Sequence, residues 1–138
     1  MFRKWFEAVQ PGQLYKQLLA LRLPMAKEAQ EIYNGWQQDE EGIDFEFGGG
    51  GICDQISNAL SSVIMQHIPG VEITEAGQDG DDHSWIIVYN DTEAYHVDIP
   101  PGVYERGGGY NWKKVPGVIF QPNHIEIYQA DRRDMQYL

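Results

Sequence analysis

The chain contains one cysteine, and the residues around it suit a nucleophile. Cys53 follows a run of four glycines in the stretch GGGGICDQISNAL and precedes apolar residues at helical spacing. A thiolate at a helix N-terminus is stabilised by the partial positive charge there. Glycines before it, Gly50 and Gly51, would let a substrate carbonyl approach the backbone amides. We therefore predict that Cys53 attacks an acyl carbon and that Gly50 and Gly51 bind the substrate.

A general base for this thiol is predicted on a β-hairpin. The strand patterns HSWIIVY and EAYHVDI flank the turn-like NDTE. A two-residue or four-residue loop places His83 and Asp98 on one face, either directly opposite or diagonal to each other with Asp98 opposite Trp85. A three-residue loop would put them on opposite faces. With a two-residue or four-residue loop, His83 takes and returns the proton of Cys53, and Asp98 holds the His83 imidazole in one tautomer. These three residues then form a Cys-His-Asp triad.

Asp54, directly after the cysteine, works against the thiolate because its own negative charge lies nearby. The repulsion between the Asp54 carboxylate and the thiolate is weaker if this carboxylate caps the helix instead. This alternative stays open in the sequence.

Three further residues are candidates for substrate contact, each with a structural alternative. His96 shares the Asp98 face and is either a core histidine or a substitute base. Trp85 either packs in the core or contacts the substrate and shields the His83 and Asp98 pair. Tyr104 lies in the long loop PPGVYERGGGYNWKKVPG, and loops of that length tend to be functional.

A metal site is disfavoured by the spacing of the possible ligands. Cys53 and His83, with His96 or Asp98, are zinc ligand types, but no paired ligand motif occurs. The acidic run DGDD at 79–82 lacks the spacing and distal glutamate of a calcium loop. We expect neither a metal nor a cofactor.

The remaining patterns predict one α+β domain over residues 1–138. Residues 1–40 read as two or three helices interrupted at Pro11-Gly12 and Pro24, and IDFEF reads as a short strand. A core over 48–130 contains a central helix from about Cys53 to His67, followed by the strand patterns VEIT, HSWIIVY, EAYHVDI and HIEIYQ. The expected architecture is a central helix with the cysteine at its N-terminus, packed on an antiparallel sheet.

These motifs resemble the transglutaminase-like branch of the papain-like cysteine enzymes. The likeness lies in G-x-C at a helix start, in HSW opening a strand and in the Asp of YHVDIPP on the next strand. The order Cys, His, Asp is also similar to that of the arylamine N-acetyltransferases, although Phe47 stands where they have an arginine. The resemblance covers about 48–101 and implies a papain-like core with a Cys53, His83, Asp98 triad.

Composition limits the partners. The 138 residues include 10 basic and 21 acidic side chains, for a formal net charge of −11, which disfavours nucleic acid and anionic membranes. No apolar run is long enough to span a bilayer, no signal peptide pattern opens the chain, and a lone cysteine fits a reducing compartment. We expect a cytoplasmic protein.

The resulting hypothesis is a small cysteine-dependent hydrolase or acyltransferase acting on an amide, isopeptide or thioester, with a protein or peptide substrate. The groove would be bordered by 48–51 and 100–112. The alternative is a catalytically inactive acidic module of the same fold that masks a basic surface on a partner.

Overall fold

The computed structural model describes residues 12–36, 52–77, 83–106, 113–115 and 117–131. In this part of the chain, three α-helices pack on a four-stranded antiparallel sheet, which confirms the α+β class. The predicted helix before Pro11, the strand IDFEF, the glycine run and the DGDD segment lie outside the described residues. No helix in the described part is long and apolar enough to cross a bilayer.

Helices α1 (Gln13–Ala20) and α2 (Arg22–Gly35) meet at Leu21, whose N–H bonds to the Leu18 carbonyl at 3.1 Å. The predicted interruption at Pro24 is wrong by three residues. Pro24 lies in the first turn of α2, where the N–H that proline lacks has no partner within the helix anyway.

Helix α3 (Cys53–His67) has the bounds predicted from the sequence. Its apolar residues recur at helical spacing and form one buried stripe, made of Ile56, Ala59, Leu60, Val63 and Ile64. Helix α3 packs against α2 and against the sheet.

The sheet has the order β1 (Glu72–Gly77), β2 (Ser84–Tyr89), β3 (Ala94–Asp98) and β6 (Glu126–Gln129). A separate pair of two-residue strands, β4 (Glu105–Arg106) and β5 (Lys113–Lys114), belongs to the long loop. Short 3₁₀ turns cover Pro101–Val103 and Pro122–His124.

The two faces of the sheet have different surroundings. One face contributes Ile86, Val88 and Val97 to the large core shared with the helices. The other carries Ile87 in a smaller apolar cluster with Trp85 packed against it. Because strand residues alternate between faces, Ser84 points toward the helices and Trp85 points away from them.

Glu93, in the β2–β3 loop, ties the hairpin to α1. Its carboxylate accepts hydrogen bonds from the Leu14 and Tyr15 amides at 3.2 and 3.4 Å, and from the Tyr95 hydroxyl at 2.8 Å. A Cβ at Gly12 would meet this carboxylate, so a larger residue there would force the Glu93 side chain to move. Glu93 thereby serves as the N-terminal cap that α1 lacks in its own sequence.

Candidate active site

The register of the β2–β3 hairpin decides whether His83 can meet Asp98. Ile86 pairs with Val97, and Tyr89 pairs with Ala94 across a four-residue loop. Continuing this register places Trp85 opposite Asp98 and His83 diagonal to Asp98. This is the second of the two registers expected from the sequence, and it puts both side chains at the same end of the sheet.

His83 and Asp98 form a close side-chain pair there. Nε2 of His83 lies 2.9 Å from Oδ1 and 3.0 Å from Oδ2 of Asp98. The two side chains are only 13% and 12% exposed. Because a carboxylate only accepts, Nε2 carries the proton of this contact.

Cys53 is brought to the same place by the contact between α3 and β2. The Ser57 hydroxyl, one turn after Cys53, donates to the Ser84 carbonyl at 3.3 Å and anchors α3 to the start of β2. The Ser84 hydroxyl in turn lies 3.4 Å from the Cys53 sulfur. The thiol is partly exposed, so reagents from solvent can reach it.

The environment of His83 favours its charged form. Burial acts to lower the pKa of His83, but the hydrogen bond and charge of Asp98, together with the nearby Cys53, raise it to about 9. Nδ1 of His83 is buried and has no hydrogen bond of standard geometry to the described residues. With Nε2 held by Asp98, Nδ1 is the nitrogen left for Cys53.

Asp54 does not serve as the cap of α3. Asp54 lies in the first turn of this helix, whose N-cap residue is Ile52, and no side-chain hydrogen bond from the described residues caps its N-terminus. The carboxylate of Asp54 is exposed, and its Oδ1 accepts a hydrogen bond from the Ser84 hydroxyl. The capping alternative is therefore wrong, and the Asp54 carboxylate lies near the thiol, with the Ser84 hydroxyl between them.

Trp85 and His96 support the His83 side of the site. The Trp85 ring stacks on the His83 ring, with centroids 5.5 Å apart. Its Nε1–H donates to Nδ1 of His96 at 2.8 Å, and His96 stacks on Tyr128 at 4.6 Å. His96 is only 8% exposed and its Nδ1 is an acceptor, so it orients Trp85 and is not placed as a substitute base.

Tyr104, which the sequence predicts as a substrate contact, lies instead in the main core. It is completely buried, and its ring centroid lies 5.9 Å from that of Phe120. The chain turns inward through the 3₁₀ turn Pro101–Val103, which carries Tyr104 into the core. The expected substrate contact is thus corrected to a packing role. Gly50 and Gly51 lie outside the described residues.

The described residues contain no group of three His, Cys, Asp or Glu side chains that could hold a metal ion. A cavity of about 300 Å³ opens between α3 and β1, lined in part by Asn58, Met65 and Ile73. Its lining does not include the Cys53, His83 and Asp98 side chains, so we keep it separate from the candidate site.

Two serines of this site escaped the sequence interpretation. Ser57 follows Cys53 by four residues and lies on the same helix face, and Ser84 must point toward α3 once Trp85 points away. Strand alternation and helical spacing were the available signals. Neither signal predicts that α3 and β2 lie in contact.

Comparisons with models of known protein families, with curated proteins and with solved structures gave no significant match.

Proposed function

We propose that this protein is a small cysteine-dependent hydrolase or acyltransferase that acts on an amide, isopeptide or thioester. The observation that carries the proposal is the position of His83, which is bonded to Asp98 through Nε2 and lies beside Cys53 with a raised pKa. The placement of the thiol at the start of α3, beside two antiparallel strands, supports a papain-like or transglutaminase-like core.

The raised pKa refines the role of the histidine. At neutral pH, a histidine with a pKa of about 9 is protonated, so His83 is already an imidazolium before substrate arrives. An imidazolium beside Cys53 stabilises the thiolate, which is the nucleophilic form. Asp98 keeps the ring in place through both carboxylate oxygens.

The chemistry then follows in two steps. The Cys53 sulfur bonds to the acyl carbon, and His83 gives its proton to the departing amine or thiol as the tetrahedral intermediate collapses. His83, now neutral, takes a proton from water or from an acceptor amine or thiol as this group attacks the acyl-enzyme. The products are the free acid or the transferred acyl group, with the thiolate and imidazolium restored.

Stabilisation of the oxyanion is assigned to backbone amides at the start of α3. The first N–H groups of a helix have no carbonyl partner within it, and they carry the positive end of the helix dipole. Cys53 is the first residue of α3, and no side chain in the described part of the chain caps this end. The amide of Cys53 is therefore suited to donate to the oxygen of an acyl group bonded to its own sulfur.

Acylation of Cys53 by 4-nitrophenyl acetate tests the proposal without knowledge of the natural substrate. We expect a burst of nitrophenolate equal to the protein concentration, and an acetyl group on Cys53 in acid-quenched protein analysed by mass spectrometry. Cys53→Ala should abolish the burst, and His83→Ala should slow it by about 10²-fold or more.

His67→Gln is the matched control, because His67 lies at the opposite end of α3 and bonds to the Val63 carbonyl. It removes a histidine without touching the site and should leave the burst unchanged. If wild-type protein releases nitrophenolate no faster than His83→Ala, the proposal is wrong. The catalytically inactive acidic binding module would then be favoured.

A further inference from the structure

Asp54 lies next to the candidate nucleophile and has its carboxylate fixed in position. The Ser84 hydroxyl contacts both the Cys53 sulfur and Oδ1 of Asp54. Two atoms within hydrogen-bond reach of one oxygen are at most about 6 Å apart. Oδ1 of Asp54 therefore lies no more than about 6 Å from the Cys53 sulfur, a distance that one small functional group of a substrate can span.

The second carboxylate oxygen is available to a ligand. Among the described residues, no hydrogen bond to Oδ2 of Asp54 is formed, and the side chain is exposed to solvent. An exposed carboxylate at this distance attracts a cation on the substrate. The same charge disfavours the thiolate when no cation is present, so a cationic substrate would relieve a repulsion as it binds.

The distance between the Cys53 sulfur and the Asp54 carboxylate limits which atom of the substrate can carry the positive charge. An amine nitrogen on the carbon next to an acyl carbon lies about 2.5 Å from that acyl carbon, by standard bond lengths and angles. This length is shorter than the upper limit of about 6 Å between the Cys53 sulfur and Oδ1 of Asp54, so such an ammonium stays within reach of the carboxylate when the acyl carbon is bonded to the sulfur. The ammonium at the end of an extended lysine side chain, several carbons further out, reaches past this position.

We infer that Asp54 is a specificity determinant that selects acyl substrates with an ammonium group on the carbon next to the acyl carbon, as in an amino acid ester or the free N-terminal residue of a peptide. Ser84 is the positioning residue that orients the Asp54 carboxylate. This inference rests on the proposed function, because it assumes that Cys53 is the nucleophile.

Alkylation by three small bromides tests the inference on the intact protein. Bromoacetamide, bromoacetate and 2-bromoethylammonium place a neutral amide, an anion and a cation next to the carbon that reacts. In each case the Cys53 thiolate bonds to that carbon and bromide leaves with the electron pair. Each rate is divided by the rate of the same reagent with N-acetylcysteine amide, which removes intrinsic reactivity.

We expect wild-type protein to prefer the cation over the amide after this division, and Asp54→Asn to reduce the preference by about two- to fivefold, as for an exposed ion pair. Ser84→Ala should reduce it by a smaller factor because the charge remains but is less well oriented. Glu31→Gln is the matched control: it removes one exposed negative charge on α2, and it should leave the preference intact.

An unchanged preference in Asp54→Asn, or an equal loss in Glu31→Gln, would overturn the inference and assign the preference to the overall charge of −11. If Asp54→Asn does not fold, judged by circular dichroism, Asp54→Ala takes its place because alanine is well accepted in a helix. The proposed function is judged separately, since it requires that bromoacetamide react more slowly with His83→Ala than with wild type. A normal His83 dependence with no effect of Asp54 therefore refutes only this inference.

Discussion

Nε2 of His83 lies within 3.0 Å of both carboxylate oxygens of Asp98, although the two residues are 15 positions apart in the chain. The contact fixes the ring of His83 and assigns the proton to Nε2. It also leaves Nδ1, which is buried and has no hydrogen bond of standard geometry in the described region, as the ring nitrogen available to the nearby Cys53. A histidine bound in this manner differs from an isolated surface histidine in charge as well as in orientation.

The stability of the fold should fall as pH rises from about 6.5 to about 9. The pKa of His83 is raised to about 9 in the folded protein, whereas an unfolded histidine titrates near 6.5. The folded state therefore holds its proton more tightly, and this contribution is complete below about pH 6.5 and disappears as the pH passes about 9.

The full shift corresponds to about 3 kcal/mol, and partial exposure to solvent reduces it, so we expect a loss of about 1–2 kcal/mol. Denaturant unfolding of wild type and His83→Gln at several pH values measures it. The difference in unfolding free energy between the two proteins should shrink across this range. A difference that is constant with pH would contradict the raised pKa.

Asp98→Asn should separate the charge of Asp98 from its shape. The amide has nearly the same size, but it removes the negative charge that raises the pKa of His83. We expect the pH dependence of stability described above to weaken, and alkylation of Cys53 near neutral pH to slow by about tenfold. NMR titration of the His83 imidazole provides the direct measurement, and an unchanged midpoint in Asp98→Asn would exclude Asp98 as the cause.

Trp85→Phe should keep the ring over His83 and remove the hydrogen bond to His96. The lost bond joins the Trp85 Nε1–H to a buried acceptor, Nδ1 of His96, at 2.8 Å. We expect the free energy of unfolding to decrease by about 1–2 kcal/mol, including the loss of ring area. If the double variant Trp85→Phe with His96→Leu is as destabilised as the sum of the two single variants, the residues are not coupled and this contact contributes nothing.

Glu93→Gln should loosen the attachment of α1 to the hairpin. The carboxylate accepts from two amides at the start of α1 and from the Tyr95 hydroxyl. We expect a destabilisation of about 1–2 kcal/mol, as for the loss of a helix cap. The pKa of Tyr95, raised to about 12 by burial and by the hydrogen bond and charge of Glu93, should also fall.

Carbon NMR of labelled tyrosine can follow this titration in wild type and Glu93→Gln. Glu28→Gln, on an exposed part of α2, is the control for removal of one acidic charge. A Tyr95 titration that does not change in Glu93→Gln would show that burial alone accounts for the raised pKa.

The elements of the site were predictable from the sequence because they depend on local patterns. Helical spacing after Cys53 gave α3, and the alternation around NDTE gave a hairpin with His83 and Asp98 on one face. The choice between the two registers required the structure, because both loop lengths satisfy the same alternation. The resemblance to papain-like enzymes stays a prediction.

The errors occurred where tertiary packing decides the outcome. Tyr104 lies in a loop, and only the turn before it determines that its ring points into the core. Asp54 is an acidic residue in the first turn of α3, but Ser84, 30 residues away, binds its carboxylate instead of the helix amides. Pro24 is compatible with either a helix break or a first turn, and the packing of α2 selects the latter.

The rate of alkylation of Cys53 by iodoacetamide between about pH 4 and 10 shows whether His83 activates this thiol, since no other thiol competes. An ordinary thiol reacts with a midpoint near 8.5. We expect the reaction to persist near pH 6 and to slow there by about tenfold or more in His83→Ala, with His67→Gln unchanged. A wild-type profile with an ordinary midpoint, or one that His83→Ala leaves unaltered, would contradict the assignment of Cys53 as a nucleophile activated by His83.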